Sequence, residues 1–179
     1  EEIGRLMAAA RNLFSPRKLR CHTYYHLVGL LATTGMRSGE AVRLANSDVN
    51  LAEGLITIRE SKFGKSRVVP LHPTTVNSLA RYKARRDAFL KKAEAPTFFI
   101  NERRGPIGSP HKSFRDIRCA AGLEKTRDQI RPRMHDLRHT FAVQTLLGWY
   151  RNGADVERNL PILSTFLGHS QVENTYWYL

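Results

Sequence analysis

The stretch from about His22 to Thr34 constrains the fold more than any other part of the chain. Wound as a helix it is apolar all round, with no face suited to water, so other elements must cover it on every side. Gly35 ends it. The cover has to come from the remaining helical patterns. Ile3, Leu6, Met7, Ala10 and Leu13 keep helical spacing before Ser15-Pro16 breaks them. His72-Pro73 opens a long helix to about Leu90, because proline is tolerated at the first helical position. Ser109-Pro110 starts another, with Phe114, Ile117 and Ala121 on one face and Gly122 as its stop. Two more run from Met134 to about Trp149 and over roughly Asp155–Phe166, the latter with Pro161 inside it, where a kink or a break is expected. Leu55–Arg59 and Arg67–Leu71 have β character, and the polar turn with Phe63-Gly64 between them predicts a hairpin. Phe98–Ile100 is expected to add one short strand. The fold class is mainly α with a small antiparallel β-sheet (α+β), in one domain of 179 residues, long enough to bury a core without disulfides or metal.

Composition narrows the function classes. Hydrophobic residues at 41% and charged residues at 25% exclude wholesale disorder. The longest apolar runs, such as Leu27–Ala32, fall far short of the roughly 18 residues of a membrane span. Cys21 and Cys119 are distant in sequence and no secretory segment opens the chain, which suits a reducing, cytoplasmic setting. Charge is the informative deviation. The net charge is +13, and residues 61–139 hold 19 of the 29 lysines and arginines against 7 of the 16 acidic residues. An excess of this kind suits a polyanion such as nucleic acid or an acidic membrane surface. Arg81, Lys83, Arg85 and Arg86 on the long helix read equally well as a solvated face.

Four segments carry candidate chemistry. In Thr34-Gly-Met-Arg-Ser-Gly-Glu40, Arg37 stands where a short helix starts, Ser38 is placed to cap it, and Glu40 can brace the guanidinium. In Met134-His-Asp-Leu-Arg-His139, His135 and Arg138 are three apart and share a helix face, next to the stripe of Leu137 and Phe141. An imidazole and a guanidinium held together suit an anion, since arginine can donate two parallel hydrogen bonds to phosphate oxygens. A satisfied histidine beside a surface arginine is the plainer alternative. His135 and His139 also have the i, i+4 spacing of a zinc pair, but Asp136 stands where the metalloprotease pattern has glutamate and no third ligand is evident, so no metal is expected. Leu167-Gly-His-Ser170 puts His169 after a turn glycine, and Tyr178 follows nine residues later in Thr175-Tyr-Trp-Tyr178, a run that core packing or a dimer contact would also explain.

In this order the motifs resemble the tyrosine recombinase, or phage integrase, family. Ser61-Lys-Phe-Gly-Lys-Ser-Arg-Val-Val-Pro-Leu71 adds the family's hairpin lysine, and the resemblance runs from about residue 20 to the end. It implies DNA strand cleavage and rejoining with no cofactor. Arg37 and Arg138 match the two arginines that clamp the scissile phosphate, and Lys62 matches the lysine that protonates the leaving 5′ oxygen. His135 matches the histidine assigned acid–base or phosphate-positioning work, His169 matches the position held by histidine or tryptophan that hydrogen-bonds the phosphate, and Tyr178, not Tyr176, matches the nucleophile. A phenol titrates near pH ~10, so such a nucleophile needs cations or a base close by. Lys65, Arg67, Arg131 and Arg133 become candidate contacts to the DNA backbone.

The resemblance also implies double-stranded DNA as partner, a tetramer on DNA for the full-length protein, and a bacterial nucleoid or a phage-infected host as the setting. The chain starts at Glu1 inside a helix and ends one residue after Tyr178. It is therefore expected to be the C-terminal catalytic domain, residues 1–179, without the N-terminal DNA-binding domain or the tail after the nucleophile, and to be monomeric in solution. Val156–Pro161 reads as an insertion before the Leu-Gly-His box. A type IB topoisomerase, a non-catalytic DNA-binding domain on the same fold, and a zinc hydrolase are the alternatives.

Overall fold

The fold is a computed structural model that describes residues 1–59, 64, 66–124, 131–168 and 173–178. Its helices are α1 (Glu2–Arg11), α2 (Arg20–Thr34), α3 (Ser38–Arg43), α4 (Pro73–Leu90), α5 (His111–Ala120), α6 (Asp136–Arg151), α7 (Val156–Leu167) and α8 (Glu173–Tyr176). The strands are β1 (Val49–Asn50), β2 (Leu55–Ile58) and β3 (Arg67–Pro70).

The apolar helix is where its composition demands. Only Thr33 of α2 is exposed, and α1, α4 and α6 all pack on it. Leu27, Val28, Leu30 and Leu31 are 0–1% exposed. Each such side chain is worth about 1.5–3 kcal/mol in burial, so this one helix anchors much of the core. Gly29 meets the Met7 side chain and lets α1 approach closely.

The predicted hairpin is present, with Ile56 opposite Val69. β1 adds a third antiparallel strand in the order β1-β2-β3. Ile56, Ile58 and Val69 turn inward to the main core. Phe98–Ile100 is not a strand of this sheet. Its backbone groups are taken by other partners: Phe98 N–H donates to Leu44 O (2.7 Å), Ile100 N–H to the Tyr82 hydroxyl (3.2 Å) and the Thr23 hydroxyl to Ile100 O (3.1 Å). Ile100 makes only an isolated bridge with Pro106.

A second, smaller core lies between α6 and α7, built from Ala142, Leu146, Val156, Leu160, Leu163 and Leu167. Val156–Pro161 forms the first turns of α7, capped by Asp155, whose carboxylate accepts from Arg158 N–H (3.0 Å). Pro161 lies within an unbroken helix, on its exposed side. The two cores meet at Phe166, which packs against both. No described helix is long and apolar enough to cross a membrane.

Candidate active site

The two glycines of the sequence motifs set the site's frame. Gly35 ends α2 in the left-handed region (φ 59°), and a Cβ there would lie 2.5 Å from the Phe141 ring and 2.9 Å from Leu167. Only glycine fits that position. Gly168 ends α7 in the same conformation (φ 72°), where a Cβ would lie 2.6 Å from an Arg67 nitrogen. Each glycine's carbonyl accepts from a motif arginine. Arg138 Nη1 donates to Gly35 O (2.8 Å), and Arg37 Nη2 donates to Gly168 O (2.9 Å).

Arg37, rather than Ser38, occupies the cap position of α3. Glu40 serves it twice. One carboxylate oxygen accepts the Arg37 backbone N–H (2.9 Å) and the other accepts Nη1 of its guanidinium (2.9 Å). Arg67 reaches the same carboxylate from β3 as a parallel fork, Nη1 at 3.0 Å and Nη2 at 2.7 Å. Burial alone would raise the Glu40 carboxyl, but the hydrogen bonds from Arg67 and Arg37 outweigh it and hold it below the ordinary carboxylate range.

Arg138 comes from the first turn of α6 and is 2% exposed. Its Nη2 has no hydrogen-bond partner among the described residues. Burial first, and the neighbouring Arg37 cation second, bring its pKa down to about 10, while Tyr178 and Glu40 act in the opposite direction. These groups therefore share one electrostatic neighbourhood. His135 sits at the cap position of α6, with part of its ring exposed. Partial burial, then the His139 and Arg138 charges, lower its pKa. His139 meets the His135 ring edge-on at 4.9 Å and lies 5.4 Å from the Tyr178 ring, centroid to centroid. The aromatic run divides. Tyr178 packs on the edge of the smaller core, whereas Tyr176 and Trp177 are 57% and 90% exposed.

Three guanidinium groups and one carboxylate thus gather beside a phenol. Taken as charged, the four groups leave two positive charges unbalanced, in a setting suited to an anion with several oxygens.

Residues 1–179 match the phage integrase family. The chain belongs to that family. It is 44% identical over 185 residues to the y4rB protein of Sinorhizobium fredii, which carries an integrase/recombinase name, with 100% of this chain and 59% of that protein covered. Tyrosine recombinase XerD of Corynebacterium glutamicum is 35% identical over 154 residues, covering 85% of this chain and 46% of XerD. The crystal structure of XerA recombinase superimposes with a TM-score of 0.75 at 31% identity, covering 99% of this chain and 56% of XerA. The chain spans roughly half the length of these relatives.

In this candidate site the structure brings together Arg37, Glu40, Arg138 and Tyr178, with His135 next to them through His139. Lys62, Lys65 and His169 lie outside the described residues. Arg131 and Arg133 stand exposed ahead of α6, Arg131 3.6 Å from Glu124 and Arg133 3.2 Å from Asp136. Arg67 is turned into the fold. Its side chain is 10% exposed, and all three guanidinium nitrogens are engaged, Nε with Phe166 O (3.0 Å) and both Nη with Glu40. Three of its five N–H donors are thus committed to protein acceptors. His139 enters the sequence reading only as a zinc partner of His135. Its signal is the four-residue spacing, which also brings it to the turn beside the tyrosine.

Proposed function

We propose that the protein is the DNA-cleaving part of a site-specific tyrosine recombinase or integrase. The observation that carries this reading is the buried Arg138, with Nη2 unpaired among the described residues, beside Arg37 and Tyr178. A buried donor without a partner costs about 1–3 kcal/mol, and a phosphodiester oxygen placed there would remove that cost. The two unbalanced positive charges suit a phosphodiester, which carries one negative charge and gains a second in the pentacovalent transition state. A single well-placed donor of this type is worth ~3–4 kcal/mol at the transition state.

The chemistry runs as a transfer of one phosphoryl bond. The Tyr178 oxygen bonds to phosphorus and passes its proton to His135 acting as base, directly or through water, the bond from phosphorus to the 5′ oxygen breaks, and that oxygen takes a proton from Lys62. Arg37 and Arg138 hold the non-bridging oxygens, with His135 and His169 positioning the phosphate. The products are a 3′-phosphotyrosine and a free 5′ hydroxyl, and attack by an incoming 5′ hydroxyl reverses the step without ATP, metal or other cofactor. The XerD name, a tyrosine recombinase, supports the assignment. Exchange between two duplexes cuts four strands, so four copies acting together on double-stranded DNA are proposed, in the cytoplasm of a bacterium and on a mobile element's DNA.

The test is a pool of nicked suicide duplexes with randomised arms, which lose the 5′ fragment and trap the intermediate. We expect a protein–DNA adduct that survives denaturing gels, vanishes in Tyr178→Phe and persists in Tyr176→Phe. An adduct that persists in Tyr178→Phe, or none from this chain and from a version extended at both ends, overturns the reading.

A further inference from the structure

We infer that Arg67 is a positioning residue: a buried guanidinium that locks Glu40 and the Gly168 turn together, and so aims the Arg37 guanidinium at the phosphate. The inference rests on the function proposed above and gives Arg67 a role other than the DNA-backbone contact that its place in the hairpin motif suggests.

Arg37 is held by two clamps, the Glu40 carboxylate (2.9 Å) and the Gly168 carbonyl (2.9 Å). These belong to different parts of the fold, the first turn of α3 and the end of α7. Arg67 grips both. Its two Nη groups fork onto the two oxygens of Glu40 at 3.0 and 2.7 Å, which fixes the carboxylate plane as a single bond would not. Its Nε donates to Phe166 O at 3.0 Å. Its guanidinium also lies against the Cα of Gly168, so closely that a methyl group there would fall 2.6 to 3.1 Å from three of its atoms. Both anchors of Arg37 therefore depend on one side chain, which arrives from β3. Lysine in this place would keep the charge and lose the fork.

The role separates from direct phosphate binding by what it leaves alone. Removing a cation that neutralises a DNA phosphate weakens binding and reduces the salt slope of log affinity by about 1. A misaimed Arg37 lowers the cleavage rate of bound DNA, since a displacement near 1 Å can cost about 100-fold. Arg67→Lys is measured for three properties: DNA affinity against salt in a Tyr178→Phe background, adduct formation at saturating suicide duplex, and the same adduct rate combined with Arg37→Lys. We expect affinity within about twofold, an unchanged salt slope, a cleavage rate reduced about 100-fold and no further loss when Arg37 is already lysine, because residues acting as one unit are not additive. Weaker affinity with a reduced slope, an unaffected cleavage rate, or additive losses overturn the inference.

Gly168→Ala is the second variant. It keeps every charge, pushes on the Arg67 guanidinium, and is expected to show the same pattern if Arg67→Lys fails to fold. One readout needs no DNA. In 15N-arginine-labelled protein, the Arg37 Nη signals, assigned by their loss in Arg37→Lys, are expected to be individually resolved in the parent and averaged by rotation in Arg67→Lys. If no adduct forms but these signals average, the recombinase reading fails and the positioning role stands. If they stay resolved, the positioning role fails whatever the DNA assays show.

Discussion

Arg138 illustrates what the proposed catalytic arrangement demands of a single residue. A guanidinium at 2% exposure with one nitrogen unpaired among the described residues is a poor choice for a core position. Its one described hydrogen bond, to Gly35 O, returns about 1.5–3 kcal/mol, and desolvation takes back a comparable amount. Replacing it with methionine removes the buried charge and keeps most of the volume. Arg138→Met is expected to leave unfolding free energy unchanged or to raise it by up to about 2 kcal/mol, and to abolish adduct formation. Urea denaturation set beside the suicide-duplex assay reads both, and a loss of more than about 2 kcal/mol would show that Arg138 supports the fold. Glu40 is the opposite case, a buried acid fully matched by two arginines.

Among the elements, α4 separates residues that look alike in sequence. Arg81, Lys83, Arg85 and Arg86 read as one basic face. In the structure Arg86 turns inward, donates to Phe98 O (3.0 Å) and Asn46 Oδ1, and lies over the Phe98 ring, while Lys83 pairs with Asp87 at the surface. Arg81 and Arg85 are exposed, with no ion pair among the described residues. Arg86→Ala is expected to cost about 2–4 kcal/mol, because it strands a buried carbonyl and an asparagine, and Arg85→Ala to stay within about 0.5 kcal/mol. Chemical denaturation of the two variants decides it. Sequence spacing located α4 and its start at Pro73, because short-range patterns carry that information, and the motifs with the family resemblance singled out Arg37, Glu40, Arg138 and Tyr178, which the fold gathers in one neighbourhood. The spacing could not show that Arg67 pairs with Glu40, far away along the chain, or that Phe98–Ile100 meets the Leu44 carbonyl and the Thr23 and Tyr82 side chains in place of a strand. Partners across the fold leave no local mark, and a two-residue strand such as β1 has no pattern of its own.

At the scale of the whole molecule, charge links stability to pH. His26 is buried between α2 and α4, with its Nδ1 2.9 Å from the Ser78 hydroxyl. Burial, then the charges of His22, Arg81, Arg11 and Arg85, lower its pKa from 6.5 to about 4. The unfolded chain therefore takes up this proton near pH 6.5 while the folded one refuses it until about pH 4. Stability is expected to fall on acidification across that window, by up to about 3 kcal/mol from this group alone, and to rise again as pH returns to about 7. Urea midpoints between about pH 7 and 4 check it, and His26→Gln should flatten the slope. Glu40 acts in a lower window: its depressed pKa contributes stability above the ordinary carboxylate range that is lost as pH falls through the folded value. The glycine carbonyls that hold Arg37 and Arg138 have one more consequence. They close the last turns of α7 and α2, where peptide dipoles point their negative ends outward, so each cation is already stabilised by a helix terminus. Like charges can then stand side by side in the unliganded protein, and an anion would meet a pocket assembled before it arrives.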